Sequence, residues 1–204
     1  MYTVDELNDR LIDLAFSEDI GDGDHTTLCC IPEEAMGKSK LLIKEEGILA
    51  GLRIAREVFH RFDPEMQVET FMNDGGQGKP GDVPMIVTGK VRSLLQTERL
   101  MLNIMQRMSG IATMTAAYVK RLEGTKTRVL DTRKTTPGMR MLEKEAVKIG
   151  GGTNHRIGLF DMILLKDNHV DFAGGIAAAL DRCAAYQKAK GLNLKVEIEV
   201  RSFD

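Results

Sequence analysis

The chain has 204 residues, 43% of them hydrophobic and 28% charged, with a net charge of −2. That is enough for one or two domains with a real core, it is an ordinary soluble balance, and it argues against a general nucleic-acid binder, whose positive charge would be global. No apolar run approaches the ~20 residues needed to span a bilayer, and three cysteines without a CxxC pair argue against a disulfide framework or a zinc site.

Taken in order, the polar and acidic start MYTVDELNDRL does not read as a secretory leader. Thr3 and Glu6 form a Thr-x-x-Glu capping box that opens a helix with Leu7, Leu11, Ile12, Leu14 and Ala15 on its apolar face, stopping before Gly21. GDGDHTT follows as a loop. Residues 38–90 then change to short strands and turns: a strand, a turn at Gly47 and a second strand, a helix over 54–62, a strand over 66–72, the turn DGGQGKPGD and the strand PMIVTGKV. Residues 97–122 read as a long helix, interrupted near Ser109-Gly110, whose methionines fill core space. The domain boundary falls in this stretch, giving an N-terminal domain over 1–107 and a second over 108–204.

Beyond it the rhythm is β-α-β-α: a strand over 128–131, a helix over 140–149 ended by Gly150, a strand over 162–165, a helix over 174–190 closed by Gly191, and a strand over 194–200. Such alternation implies parallel pairing and right-handed crossovers. A (β/α) barrel usually needs about 250 residues. The chain is therefore expected to be a piece of a longer one, with Ser202 as the N-cap of a helix that would follow.

In parallel α/β folds the site lies at the carboxyl ends of the strands. Arg133 and Lys134 follow the strand ending near Asp131, Lys166 ends MILL, and Glu199 sits near the end of VEIEV, while His155 and Arg156 belong to GGGTNHR. Cations at several strand ends suggest a pocket for a ligand with several negative charges, because an unpaired buried charge is costly. Taken singly, each Lys or Arg has a plain alternative as a solvated charge, and for Arg156 the alternative is an ion pair with Asp161. His155 reads equally as a general acid, a phosphate donor or a structural histidine, and His169 is less persuasive. Asp131 and Asp167 are candidate partners of Arg133 and Lys166. Arg140 and Lys144, one helical turn apart, are left out as a solvated face. Gly150-Gly151-Gly152 is weak alone, and GxGxxG, GxxxxGK[ST], HExxH and GxSxG are all absent.

The segments EDIGDGDHTT (18–27), ERLMLNIMQRMSGIAT (98–113), DTRKTTPGMRMLEKEAVKIGGGTNHR (131–156), LLKDNH and VEIEV closely resemble, in the same order, quinolinate phosphoribosyltransferases, also called nicotinate-nucleotide pyrophosphorylases (carboxylating). The resemblance implies an α/β fold with an N-terminal α/β sandwich domain followed by an incomplete, open (β/α) barrel, truncated at the C-terminus. It implies a cytoplasmic homodimer or larger homo-oligomer with a shared active site, without nucleic-acid or membrane partners. The implied reaction, a step of NAD synthesis, moves phosphoribose from phosphoribosyl pyrophosphate to the ring nitrogen of quinolinate. It releases CO2 and pyrophosphate, yields nicotinate mononucleotide and needs Mg2+.

Carried over by motif, Thr132, Arg133, Lys134, His155 and Arg156 line the substrate site, and Arg99 is supplied across the dimer interface. Lys166 meets the substrate or the phosphoribosyl diphosphate. Glu199 serves the ribose and the Mg2+, directly or through water or substrate. Lys134, Lys166 and Glu199 are the implied catalytic groups. Family members continue past this last strand with an acidic LDN-type motif and glycine-rich phosphate loops, so a chain of this length alone is expected to have little activity. The alternatives are a paralogue with another acceptor, as in the molybdenum-transport-associated relatives, and an inactive binding or assembly module.

Overall fold

The computed structural model describes residues 2–202, which form two compact units dividing between Asn154 and His155. In the first unit, α1 (Val4–Ile20) opens on the expected capping box: Thr3 accepts from the Glu6 backbone and the Glu6 carboxylate accepts from the Thr3 backbone. The expected loop after Gly21 contains a further short helix, α2 (His25–Cys30), capped by the Asp24 carboxylate on the Thr27 N–H. Next come β1 (Met36–Leu41), β2 (Gly47–Ile48), α3 (Leu52–Phe62), β3 (Gln67–Thr70), β4 (Gln77–Gly78), β5 (Met85–Lys90), α4 (Val91–Arg121) and α5 (Arg140–Ile149).

β1, β5 and β3 form an antiparallel sheet in that order, with Met85 and Val87 of the central strand buried. The apolar side of α3 (Leu52, Ile54, Ala55, Val58, Phe59) and the Leu94, Leu100, Met101, Ile104, Met105 and Met108 face of α4 complete the core. The methionines at 101, 105 and 108 are core filler as expected, whereas Met114 is exposed. α4 is continuous through Ser109-Gly110, where an interruption was expected. Ser109 instead bonds both the N–H and the carbonyl of Ala50, and Thr113 Oγ1 accepts the Ile48 N–H at 2.8 Å, so mid-helix hydroxyls satisfy backbone groups in β2 and just after it.

The expected strand at 128–131 is reduced to one parallel bridge, Leu130 to Thr153. The glycine run between α5 and that bridge is a packing device. A Cβ on Gly150 would stand 2.4 Å from the Ala112 carbonyl oxygen of α4, and Gly151 has φ +85°. Gly150→Ala should therefore destabilise the chain by about 2 to 3 kcal/mol, since the obstacle is backbone. Gly110→Ala, with no atom within 4 Å, should be stabilising by about 0.5 to 1 kcal/mol. Urea unfolding of the pair checks both signs.

The second unit holds β6 (Ile163–Leu165), α6 (Asp167–Ala173), α7 (Ile176–Lys190) and β7 (Val196–Ile198). β6 and β7 pair in parallel, Leu164 opposite Glu197, as the β-α-β rhythm predicts. α7 closes on Gly191 in the left-handed conformation. The mixed α/β organisation read from the sequence is thus present. Among the described residues of this unit Ala179 and Cys183 are the buried hydrophobic ones, while Phe160, Phe172 and Val200 are exposed. No described helix is long and apolar enough to cross a membrane.

Candidate active site

The first group of candidate residues lies on the irregular segment 131–136 of the first unit, between the Leu130 bridge and α5. Asp131 begins it. Its carboxylate holds Lys144 Nζ at 2.5 Å, and Lys144 is only 2% exposed. With the Asn154 amide turned so that its nitrogen meets acceptors, that nitrogen donates to Asp131 Oδ2 at 2.8 Å and to the Lys144 carbonyl at 2.9 Å. The reading of Lys144 as a solvated residue is therefore corrected. A lysine on the inner side of α5 is tolerated because an equally buried carboxylate meets it. Asp131, expected beside Arg133, serves Lys144.

Thr132 Oγ1 accepts the Lys134 N–H at 3.0 Å and tightens the turn. Lys134 is exposed, and its ammonium has no ion-pair partner among the described residues. Arg133 is half-buried, and its Nε is buried with no hydrogen-bond partner among the described residues. Buried N–H groups are almost always paired, so this donor is open to an acceptor. Arg140, also set aside from sequence, donates from Nε to Thr135 Oγ1 at 3.0 Å, with a second nitrogen 3.5 Å from the Arg133 carbonyl. Arg99 projects from α4 as an exposed residue.

Glu143 closes the segment. Its Oε2 accepts the Thr136 N–H at 3.3 Å, and its Oε1 accepts from Arg107 Nε at 3.0 Å and from a second Arg107 nitrogen at 2.8 Å. Burial by itself pushes this carboxyl up, but the bonds from Thr136 and Arg107 outweigh it and hold the group below its ordinary range. A carboxyl held low contributes stability that is full above its ordinary value of 4.5 and fades as the pH falls through the depressed value. Glu143→Gln should cost about 1.5 to 3 kcal/mol at pH 7. The deficit should narrow on acidification, so urea titrations at pH 7 and pH 3 check it. An unchanged deficit at pH 3 would count against the assignment.

The second group lies in the second unit. Arg156 is 8% exposed, and no described residue hydrogen-bonds its guanidinium. The expected Asp161 carboxylate accepts the N–H groups of Ile157 at 2.8 Å and Gly158 at 2.8 Å. His155 Nε2 meets Glu197 Oε2 at 2.9 Å. Glu197 is a residue the sequence reading missed, although alternation in VEIEV puts it on the same face as Glu199. Lys166 Nζ donates to Glu199 Oε1 at 3.2 Å, the two meeting at the carboxyl ends of β6 and β7, where the Glu199 N–H also bonds the Leu165 carbonyl at 2.8 Å. Lys166 was expected at a buried strand end, but its side chain is half-exposed. Among the described residues β6 and β7 make a two-stranded sheet, too narrow to bury that end. Asp167 accepts its neighbour Asn168's N–H, and His169 Nδ1 accepts the Lys166 N–H at 3.0 Å, so both serve the local turn.

Among the described residues no three metal-ligating side chains gather. Glu199 is a single carboxylate with an exposed flank. That fits Mg2+ arriving on a substrate diphosphate, since Mg2+ commonly takes one or two protein carboxylates plus phosphate oxygens. It does not fit a resident cage. A cleft of about 560 Å³ in the first unit is lined by Arg107, Met114, Tyr118, Leu130 and Asp131 among others, but by neither Arg133 nor Lys134.

Residues 24–109 match the family model described as quinolinate phosphoribosyl transferase, N-terminal domain, and residues 111–204 match the C-terminal domain of the same family. The chain is 45% identical over 193 residues to quinolinate phosphoribosyltransferase [decarboxylating] 1b of Nicotiana tabacum, covering 94% of this chain and 55% of that protein. It is 42% identical to the probable nicotinate-nucleotide pyrophosphorylase [carboxylating] of Bacillus subtilis, covering 95% of this chain and 65% of that protein. The crystal structure of NadC from Streptococcus pyogenes superposes with a TM-score of 0.90 at 41% identity, covering 99% of this chain and 70% of that one. The chain spans little more than half the length of the plant relatives it matches.

Proposed function

The chain belongs to the quinolinate phosphoribosyltransferase family, and we propose that it binds quinolinate and phosphoribosyl pyrophosphate and carries out the decarboxylating transfer that yields nicotinate mononucleotide. The observation that carries the reading is the buried, unpartnered Nε of Arg133. Arg156, a largely buried residue whose guanidinium has no hydrogen-bonded partner among the described residues, is a second candidate. Quinolinate offers two carboxylates, and a guanidinium grips a carboxylate through two parallel bonds.

In this mechanism Arg133 and Arg156 each take a carboxylate, and Lys134 adds a compact positive charge next to Arg133. Thr132 shapes the turn that presents both cations. His155, held by Glu197, donates to a substrate oxygen. Lys166 and Glu199 receive the phosphoribosyl diphosphate: the lysine takes its negative charge, and the glutamate takes a ribose hydroxyl and the Mg2+ that travels with it. When bound, that metal neutralises charge on the departing diphosphate. The pyridine nitrogen attacks C1 of the ribose as the C1–O bond to pyrophosphate breaks. The adjacent carboxylate then leaves as CO2, its electron pair settling on the ring carbon beside the new pyridinium, where a proton from solvent replaces it. The chain need supply no nucleophile, so positioning and electrostatics carry the catalysis.

The same reading assigns a cytoplasmic homo-oligomer in which Arg99 reaches the site of a neighbouring subunit. No observation favours the paralogue or the inactive module. Titration calorimetry with quinolinate and with nicotinate, which lacks the second carboxylate, tests the reading. Quinolinate should bind at least tenfold more tightly. No heat from quinolinate at millimolar concentration, or equal affinity for both, overturns it.

A further inference from the structure

We propose that one polar face of α5, made of Arg140, Glu143 and Lys144, is a positioning element that sets the direction in which segment 131–136 presents Arg133 and Lys134. The inference rests on the proposed binding of quinolinate by Arg133. The three residues stand at i, i+3 and i+4, one side of the helix. They hold the segment at its start, middle and end: Lys144 on the Asp131 carboxylate, Arg140 on Thr135 Oγ1 and beside the Arg133 carbonyl, and Glu143 on the Thr136 N–H.

Two of the three, Glu143 and Lys144, are buried among core residues such as Leu142 and Ala146. An inward helix face is ordinarily apolar. Well-packed hydrophobic residues at buried ion-pair positions commonly give equal or greater stability. What the charged side chains add is fixed geometry. Each bond is directional, and together they fix both ends of a segment that has no regular secondary structure. Arg107 extends the hold from α4, bonding Thr136 Oγ1 at 3.1 Å as well as Glu143. A guanidinium that must meet a carboxylate through two parallel bonds gains from such support, because small errors in its placement break one of the two.

Two measurements on the chain test this. Backbone amide exchange over residues 132–136 should quicken at least tenfold in Arg140→Gln and in Lys144→Met, while the protected amides of α4 stay unchanged in Arg140→Gln. Quinolinate affinity by calorimetry should fall at least tenfold in Arg140→Gln with no shift in its thermal midpoint, and Arg140→Lys, which keeps a donor toward Thr135, should return to within threefold of the parent. Unchanged exchange over the segment, or a parent-like affinity in Arg140→Gln, overturns the proposal. Failure of Arg140→Lys to recover any affinity also overturns it. If Lys144→Met does not fold, Arg140→Gln carries the test alone. If the parent chain binds no quinolinate, the proposed function fails, and the exchange measurement still decides whether α5 holds the segment.

Discussion

Arg133→Ala should weaken quinolinate binding between about thirtyfold and several thousandfold while leaving the stability of the free chain equal or slightly higher. The two effects share one cause. The Nε of Arg133 is buried and has no acceptor among the described residues, a condition that costs about 1 to 3 kcal/mol. Truncation to alanine removes that cost. In the complex the same donor faces a carboxylate, and losing one partner of a buried charged pair typically costs 2 to 5 kcal/mol or more, each 1.4 kcal/mol being a factor of ten. Function here would be held at the expense of stability, as strained sites often are. Arg133→Lys should rescue poorly, because a point charge cannot reproduce the planar fork. Calorimetry and urea unfolding of the same preparations give both signs. A change in affinity below threefold would remove Arg133 from the site, and a large loss of stability would make its role structural.

The elements that the sequence announced most clearly are those with local signals. The Thr3–Glu6 capping box, the α5 boundaries at Arg140 and Gly150, and the Gly191 closure each depend on one or two residues acting within a turn. What the sequence hid depends on partners far along the chain. Lys144 looked solvated because lysine usually is, and its meeting with Asp131 favours burial. Ser109-Gly110 looked like a helix interruption, yet the Ser109 hydroxyl, with that of Thr113, satisfies backbone groups at Ala50 and Ile48. α2 and α6 are one or two turns long, too short for periodicity to register. The cations of the motifs were legible by type and spacing. The orphaned Nε of Arg133 and the Glu197 partner of His155 were not, since both are matters of direction.

Lys144→Met should cost about 3 to 5 kcal/mol of stability, the largest loss expected from any single substitution on α5. Methionine matches the length of the lysine stem, so the cavity left is small. The loss comes from Asp131, whose carboxylate would remain beside the core without the ammonium that faces it. Loss of the countercharge of a buried group is what makes breaking such pairs expensive. Against a typical domain stability of about 5 to 15 kcal/mol, roughly a fifth or more of the total would go. The double variant Lys144→Met with Asp131→Leu separates the charge from the packing. With both charges gone the desolvation penalty disappears, and stability should return to within about 1 to 2 kcal/mol of the parent. Urea midpoints of parent, single and double variants at neutral pH measure the cycle. A single variant as stable as the parent would mean that the Asp131 carboxylate finds other support. A double variant no better than the single would locate the damage in packing against α5. If α5 acts as inferred above, the restored double variant should fold well and still bind quinolinate poorly, because segment 131–136 would have lost the bond at its start.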